Sequence, residues 1–129
     1  MSSLLGHTPV LRLRLENHLL DRRYPREGVI AGIVDTGYQG FIAVPRAVFA
    51  SLSMPSLSTS KRVVRLADGS ELRSEVGQGS VIVAGSGVEI DGPVETISGL
   101  GEVLVGTQFL SRFRFELDYC LRRVSFRLC

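Results

Sequence analysis

Apolar and charged residues alternate along several short segments of this chain, and that pattern limits the folds open to it. In the first segment, Leu11, Leu13 and Leu15 alternate with charged side chains. Because successive side chains of a β-strand point to opposite faces, this spacing places the three leucines on one buried face. Segments 113–117 and 124–128 alternate in the same way and predict a closing hairpin. The chain is therefore expected to be mainly β.

Further strands are expected wherever short apolar runs lie between glycine, proline and serine turns. The predicted strands are 28–34, 41–44, 62–66, 71–76, 79–84, 88–90, 94–97 and 102–105. The near-continuous apolar run at 28–34 predicts a strand that is covered on both faces, and 19–28 is expected to be a loop or a widened hairpin. Pro45 suits the first turn of a helix over 46–52, and 107–112 predicts a second short helix. Together these elements predict a closed or sandwich-like all-β barrel.

Length and charge exclude several classes of protein. A chain of 129 residues can bury a core by itself, so 1–129 is expected to be one domain. A net charge of +2, from 15 basic and 13 acidic residues, is too balanced to predict binding to nucleic acid. We expect the arginines near the C-terminus to lie on solvated strand faces, with an acidic partner or a subunit contact as the alternative.

The sequence also predicts a cytoplasmic protein without a metal. No apolar run approaches the roughly 18–20 residues that span a bilayer, so no membrane contact is expected. Residues 1–7 lack the basic and apolar regions of a signal peptide. Cys120 and Cys129 do not form a disulfide framework, and both thiols are expected to be reduced. His7 and His18 lack the spacing of a metal site.

The tripeptide Asp35-Thr36-Gly37 is the candidate for chemistry because it follows the apolar run 29–34 directly. A carboxylate at the end of a buried strand is in a costly position for a charge. Chance alone places such a tripeptide in roughly a few per cent of chains of this length. A turn aspartate that caps its own loop is therefore the alternative interpretation. An aromatic residue, a second glycine and the strand 41–44 follow, and this context favours a functional site.

Two later segments complete the pattern. An Asp-Gly turn at 67–70 lies between the strand-like runs 62–66 and 71–76, which predicts a hairpin. Near the C-terminus the apolar strand 103–105 ends at Gly106 and is followed by the second predicted helix. With these segments in this order, the chain resembles the retropepsin-like aspartic proteases of clan AA, in particular their small bacterial and archaeal members. The similarity covers about half of the chain, at 29–45, 62–72 and 102–128.

The resemblance implies an all-β, closed acid-protease-like (retropepsin) barrel with one or two short helices. It also implies an aspartic endopeptidase that acts as a homodimer on a peptide or protein substrate and needs no cofactor. Two carboxylates that share one proton can take a proton from water and give one to the leaving nitrogen. One chain supplies a single such aspartate, so Asp35 of each subunit is expected at a two-fold axis.

The resemblance assigns supporting roles to the residues around Asp35. The hydroxyl of Thr36 is expected to bond to the partner's catalytic loop. Gly37 should allow the tight turn and leave room for substrate, and Tyr38 should flank the loop and shape a substrate pocket. Gly40 belongs to the same loop, and Gly106 should let the bracing strand pack against it.

The predicted hairpin corresponds to the flap that closes over an extended peptide in this family. Its tip consists of Ala67, Asp68, Gly69 and Ser70. A plain hairpin is the alternative, because any Asp-Gly turn fits equally well. The chain departs from the viral members at two places: Asp68 stands in a usually glycine-rich tip, and Thr107 and Gln108 follow the bracing glycine where those members have an arginine.

Chain ends commonly interleave at the interface of such dimers, and the candidates here are 11–15 and 124–128. Two other interpretations remain open. One is a non-catalytic peptide-binding or interaction module that has the same fold, and the other is an unrelated β-barrel with a chance Asp-Thr-Gly. A dimer with paired Asp35 residues would distinguish the peptidase and the peptide-binding module from the unrelated barrel. Activity would distinguish the peptidase from the module.

Overall fold

The computed structural model describes residues 2–57, 59–65 and 68–129, and more than half of them lie in β-strands. The strands are β1 (Ser2–Leu5), β2 (Thr8–Asn17), β3 (Arg22–Tyr24), β4 (Ile30–Val34), β5 (Ile42–Val44), β6 (Ser60–Arg65), β7 (Glu71–Val83), β8 (Val88–Ile97), β9 (Leu104–Val105), β10 (Phe113–Asp118) and β11 (Arg123–Leu128). The helices are α1 (Arg46–Ser51), α2 (Thr107–Leu110) and a single 3₁₀ turn, Met54–Ser56. The all-β class is confirmed, as are both short helices and the closing hairpin. In the described part of the chain, no helix has the length and apolar character needed to cross a membrane.

Strand β2 organises the main sheet because it pairs with four other strands along its length. Strands β1 and β4 flank its first half, and β3 and β7 flank its second half. From β4 the pairing order runs through β9, β5, β8 and β7 and returns to β2, so the pairings close into a ring. Strand β6 extends the sheet as the outer strand of a hairpin with β7, and β10 and β11 form a separate two-stranded sheet.

The hydrophobic core is built by β2, β5, β7, β8, β9 and the two helices. The alternation along β2 is confirmed, since Leu11, Leu13 and Leu15 are fully buried. The closing hairpin packs on the same core through Phe113, whose ring centroid lies 5.1 Å from that of Phe109 in α2. The hairpin therefore supports α2 directly.

Two strands are longer than the sequence predicts, because internal glycines do not end them. Strand β7 continues through the predicted break at Gly77, where a Cβ atom would lie 3.0 Å from Met54 Sδ. Strand β8 continues through Gly92, where a Cβ atom would lie 2.6 Å from the Phe41 ring. These glycines let bulky side chains approach the backbone closely, so the predicted breaks in both strands are wrong.

The apolar run at 28–34 is not covered on both faces in one chain, contrary to the prediction. Gly32 and Val34 are buried, whereas Ala31 is exposed and Val29 is 42% exposed. One face of β4 packs on the core and the other remains open, which is usual for sheets with one solvated face.

The proposal that 11–15 joins a sheet between subunits is wrong. Leu13 pairs with Ile30 of β4 on one edge and with Val83 of β7 on the other. Leu11 lies between β1 and β4, and Leu15 lies between β3 and β7. This part of β2 has no free edge to offer another chain. By contrast, β1 ends the main sheet and β11 pairs with β10 alone.

Candidate active site

Asp35 lies at the point where β4 ends, beside the end of the parallel strand β9. The N–H of Ile33 donates to the carbonyl of Val103 at 2.8 Å, and the N–H of Asp35 donates to that of Val105 at 3.0 Å. The chain then forms a loop over residues 35–41, called the Asp35 loop here, and returns as β5 along the other edge of β9. Strand β9 therefore holds both ends of the Asp35 loop.

The carboxylate of Asp35 is partly exposed and bonds within its own loop. The N–H of Gly37 donates to Asp35 Oδ1 at 2.9 Å, and the N–H of Tyr38 donates to the Asp35 carbonyl at 3.2 Å. Gly37 does not have the left-handed backbone, but a Cβ atom there would lie 3.2 Å from Oδ1. Glycine at position 37 therefore leaves space beside the carboxylate. Thr36 and Gly37 are both exposed. A turn aspartate would form the same bonds, so this geometry suits both interpretations of Asp35.

Gly106 and helix α2 brace the Asp35 loop from inside. The N–H groups of Gly106 and Thr107 donate to the carbonyls of Phe41 and Tyr38, each at 2.9 Å. A Cβ atom on Gly106 would collide with the carbonyl oxygen of Gly40 and would lie 2.7 Å from Tyr38 Cδ2. The structure thus brings Tyr38, Gly40 and Gly106 together in one contact that only glycine permits at position 106.

Beneath Tyr38 lies a buried carboxylate that the sequence did not single out, that of Glu95. The Tyr38 hydroxyl donates to Glu95 Oε1 at 2.7 Å. Ser74 Oγ and Arg62 Nε donate to Oε2 at 2.7 and 2.9 Å. The Glu95 side chain is only 1% exposed. Its three partners are 57, 21 and 33 residues away in sequence, so no local motif marked it.

These contacts keep Glu95 ionised and Tyr38 protonated. Burial alone would raise the pKa of Glu95, but the hydrogen bonds from Arg62, Ser74 and Tyr38 outweigh it and lower that pKa. Burial, followed by the hydrogen bond to Glu95, raises the pKa of Tyr38, so its hydroxyl stays a donor at any ordinary pH. The hydrogen bond to Glu95 also raises the pKa of Arg62.

In the turn of the β6–β7 hairpin, the predicted flap, the described residues Asp68, Gly69 and Ser70 are exposed. The N–H and Oγ of Ser70 donate to Asp68 Oδ1 at 2.9 and 2.5 Å, and these bonds lower the pKa of Asp68. Gly69 has a φ of +86°, which a glycine adopts without strain. Ala67 lies outside the described residues. Since Arg62 lies in β6 and Ser74 in β7, Glu95 joins the strands of the hairpin to the Asp35 loop.

A cluster of three possible metal ligands also escaped the sequence analysis, because Glu89 lies in β8, far in sequence from Glu16 and His18 at the end of β2. Glu16, His18 and Glu89 place their ligand atoms within 4.8 Å of one another. His18 Nε2 lies 2.7 Å from Glu89 Oε1, and this hydrogen bond raises the pKa of His18. His18 and Glu89 are exposed and satisfy each other, so an ion pair explains the cluster without a metal.

The comparisons with known proteins yield one relative of unknown activity. A protein of Archaeoglobus fulgidus, described as uncharacterized, is 36% identical over 122 residues, which make up 95% of each chain. No protein-family model matches this chain, and no solved structure matches it. The relative carries no description of a reaction, so the site itself has to support any functional argument.

Proposed function

We propose that this chain, which belongs to the same family as the uncharacterized Archaeoglobus fulgidus protein, is an aspartic endopeptidase that is active as a homodimer. One observation carries the proposal: the strand end at Gly106 and helix α2 pack against the Asp35 loop. The retropepsin resemblance implies this bracing, whereas a chance Asp-Thr-Gly does not require it. In this proposal the ring of paired strands is a closed retropepsin barrel.

The proposed reaction needs two carboxylates, and each subunit supplies one. Asp35 and Thr36 lie on an open part of the loop, which leaves room for a second copy of the same loop. Two carboxylates a few ångströms apart cannot both ionise, so the pair shares one proton. The ionised member takes a proton from water as the oxygen attacks the peptide carbonyl. The protonated member then gives its proton to the leaving nitrogen.

The substrate in this proposal is a peptide or a protein segment in extended form. It would lie between the Asp35 loops and the β6–β7 hairpins, with main-chain hydrogen bonds of the kind formed when a strand is added to a sheet. The carboxylate pair and water supply the chemistry, so the proposed mechanism uses no cofactor. The cytoplasmic location stays a prediction from the sequence.

Cleavage of a mixed peptide library, read by mass spectrometry from acid to neutral pH, tests the proposal. The matched control is Asp35→Asn, which keeps the size of the side chain and removes its acid–base function. We expect the wild type to cleave peptides and the variant to lose at least about 10²-fold in kcat/KM.

Two other outcomes would contradict the proposal. Equal cleavage by both proteins would assign the activity to a contaminant or another site. A dimer that cleaves nothing would contradict the proposal and favour the peptide-binding module, which keeps the fold and the interface without turnover.

A further inference from the structure

We propose that Glu95 is a positioning residue that couples the β6–β7 hairpin to the Asp35 loop. For its effect on catalysis this inference rests on the proposed peptidase function. The coupling itself is a property of the fold and can be tested without any activity.

The strand register turns one face of the hairpin toward the Asp35 loop. Arg62 of β6 pairs with Ser74 of β7, and Val76 of β7 pairs with Glu95 of β8. Residues opposite each other on paired strands point to the same face, and so do residues two apart on one strand. Arg62, Ser74 and Glu95 therefore face one side, where Tyr38 meets them.

A gain in stability does not by itself explain why the Glu95 carboxylate is buried. Removing an ionised group from water is unfavourable, and apolar side chains of similar volume often replace buried ion pairs without loss of stability. Glu95 instead accepts hydrogen bonds from three separate elements, namely the Asp35 loop, β6 and β7. Hydrogen bonds are directional, so they fix the relative position of these elements in a way that an apolar contact does not.

Tyr38 transmits that position to the catalytic loop. Its ring lies against Gly40 and Gly106, and it follows Asp35 by three residues. A shift of the Tyr38 hydroxyl therefore moves the ring within a contact that has no spare room. The same carboxylate holds Arg62 and Ser74, so the hairpin and the loop cannot move independently while Glu95 is bonded to all three.

Hydrogen exchange on Tyr38→Phe tests the coupling. This change removes one hydroxyl group in the Asp35 loop and leaves the ring in place. We expect faster amide exchange in the hairpin strands, residues 60–65 and 71–76, by at least about threefold relative to wild type. The matched control is Tyr119→Phe, which removes a hydroxyl that donates to the His7 carbonyl at 3.1 Å, and it should leave hairpin exchange unchanged. Unchanged hairpin exchange in Tyr38→Phe would overturn the inference.

Peptidase kinetics test the consequence for catalysis. Tyr38→Phe disturbs the loop side of the link and should lower kcat by roughly tenfold, corrected for the folded fraction. Arg62→Ala disturbs the hairpin side and should raise KM, because the hairpin is proposed to cover the peptide. A purely structural role would lower kcat only through the folded fraction and leave KM unchanged in both variants, which would contradict the inference. If the wild type cleaves nothing, the proposed function fails, while the exchange experiment still decides the coupling.

Discussion

Two residues fix the Asp35 loop, one by having no side chain and one by having a charged side chain. Gly106 lets β9 and α2 approach the loop, and Glu95 holds Tyr38 from beneath. The sequence indicated the first residue, because an apolar strand that ends in glycine is a visible pattern. It did not indicate the second, because a single glutamate in a strand normally suggests a solvated side chain.

Gly106→Ala should destabilise the fold by about 1–3 kcal/mol, because the added Cβ atom collides with the backbone carbonyl of Gly40 and with the Tyr38 ring. Urea unfolding measures the change. Gly101→Ala is the matched control, since a Cβ atom there meets nothing within 4 Å. Equal stability of the two variants would show that the loop yields easily and that Gly106 does not brace it.

Glu95 should make a pH-dependent contribution to stability. Its pKa is lowered in the folded chain, so its contribution is fully present above the unfolded value of about 4.3 and is lost as the pH falls through the folded value. The unfolding free energies of wild type and Glu95→Gln should therefore differ most above about pH 5 and converge below it. Asp68 and Glu75 also have lowered pKa values, but they titrate in both proteins and cancel in the difference. A difference that does not vary with pH would contradict the network.

Alternation and turn residues predicted where most strands lie, but internal glycines led to wrong breaks within two of the strands. The strand at 11–15 and the closing hairpin are visible as alternating patterns, and the Asp-Gly turn marks the β6–β7 hairpin. Gly77 and Gly92 suggested turns, but both are explained by side chains distant in sequence, Met54 and Phe41, that pack on them. Which strands pair also depends on long-range contacts, and so the closing of the ring through β2 and β7 could not be read from local pattern.

The closing hairpin should matter for stability because it packs on the core beside α2. Phe113 is 9% exposed, and its ring contacts those of Phe109 and Phe126. Phe113→Ala should cost about 3–5 kcal/mol in urea unfolding, as expected for a large side chain removed from a core. Phe115 lies two residues further along β10 and is only partly buried. Phe115→Ala should therefore lower the free energy of unfolding clearly less. Equal costs would mean that the hairpin does not pack as described.

The proposed active site requires two copies of the chain. The sequence predicts that 124–128 contributes to the interface, so charges in place of Val124 and Phe126 would be one way to dissociate the dimer. The Phe126 ring, however, contacts Phe113 and Phe115 within the chain. A charge there would disturb the fold, so an exposed position on the same strand gives a cleaner test.

Leu128→Asp is that test, since Leu128 lies at the end of β11 and is 54% exposed. If β11 contributes to the interface, the variant should sediment as a folded monomer, because an unpaired charge does not enter an apolar contact. Leu19→Asp is the control, with Leu19 82% exposed in the turn between β2 and β3. A Leu128→Asp protein that remains dimeric would move the interface away from β11.

Mixing active and inactive chains tests whether one active site is built from Asp35 of two chains. Wild type and Asp35→Asn are unfolded together in varying ratios, refolded at constant total protein and assayed for peptide cleavage. Random pairing makes activity fall with the square of the wild-type fraction, so an equal mixture should keep about one quarter of the activity. About one half would mean that each chain works alone, and cleavage that does not depend on the ratio would mean that Asp35 is not catalytic.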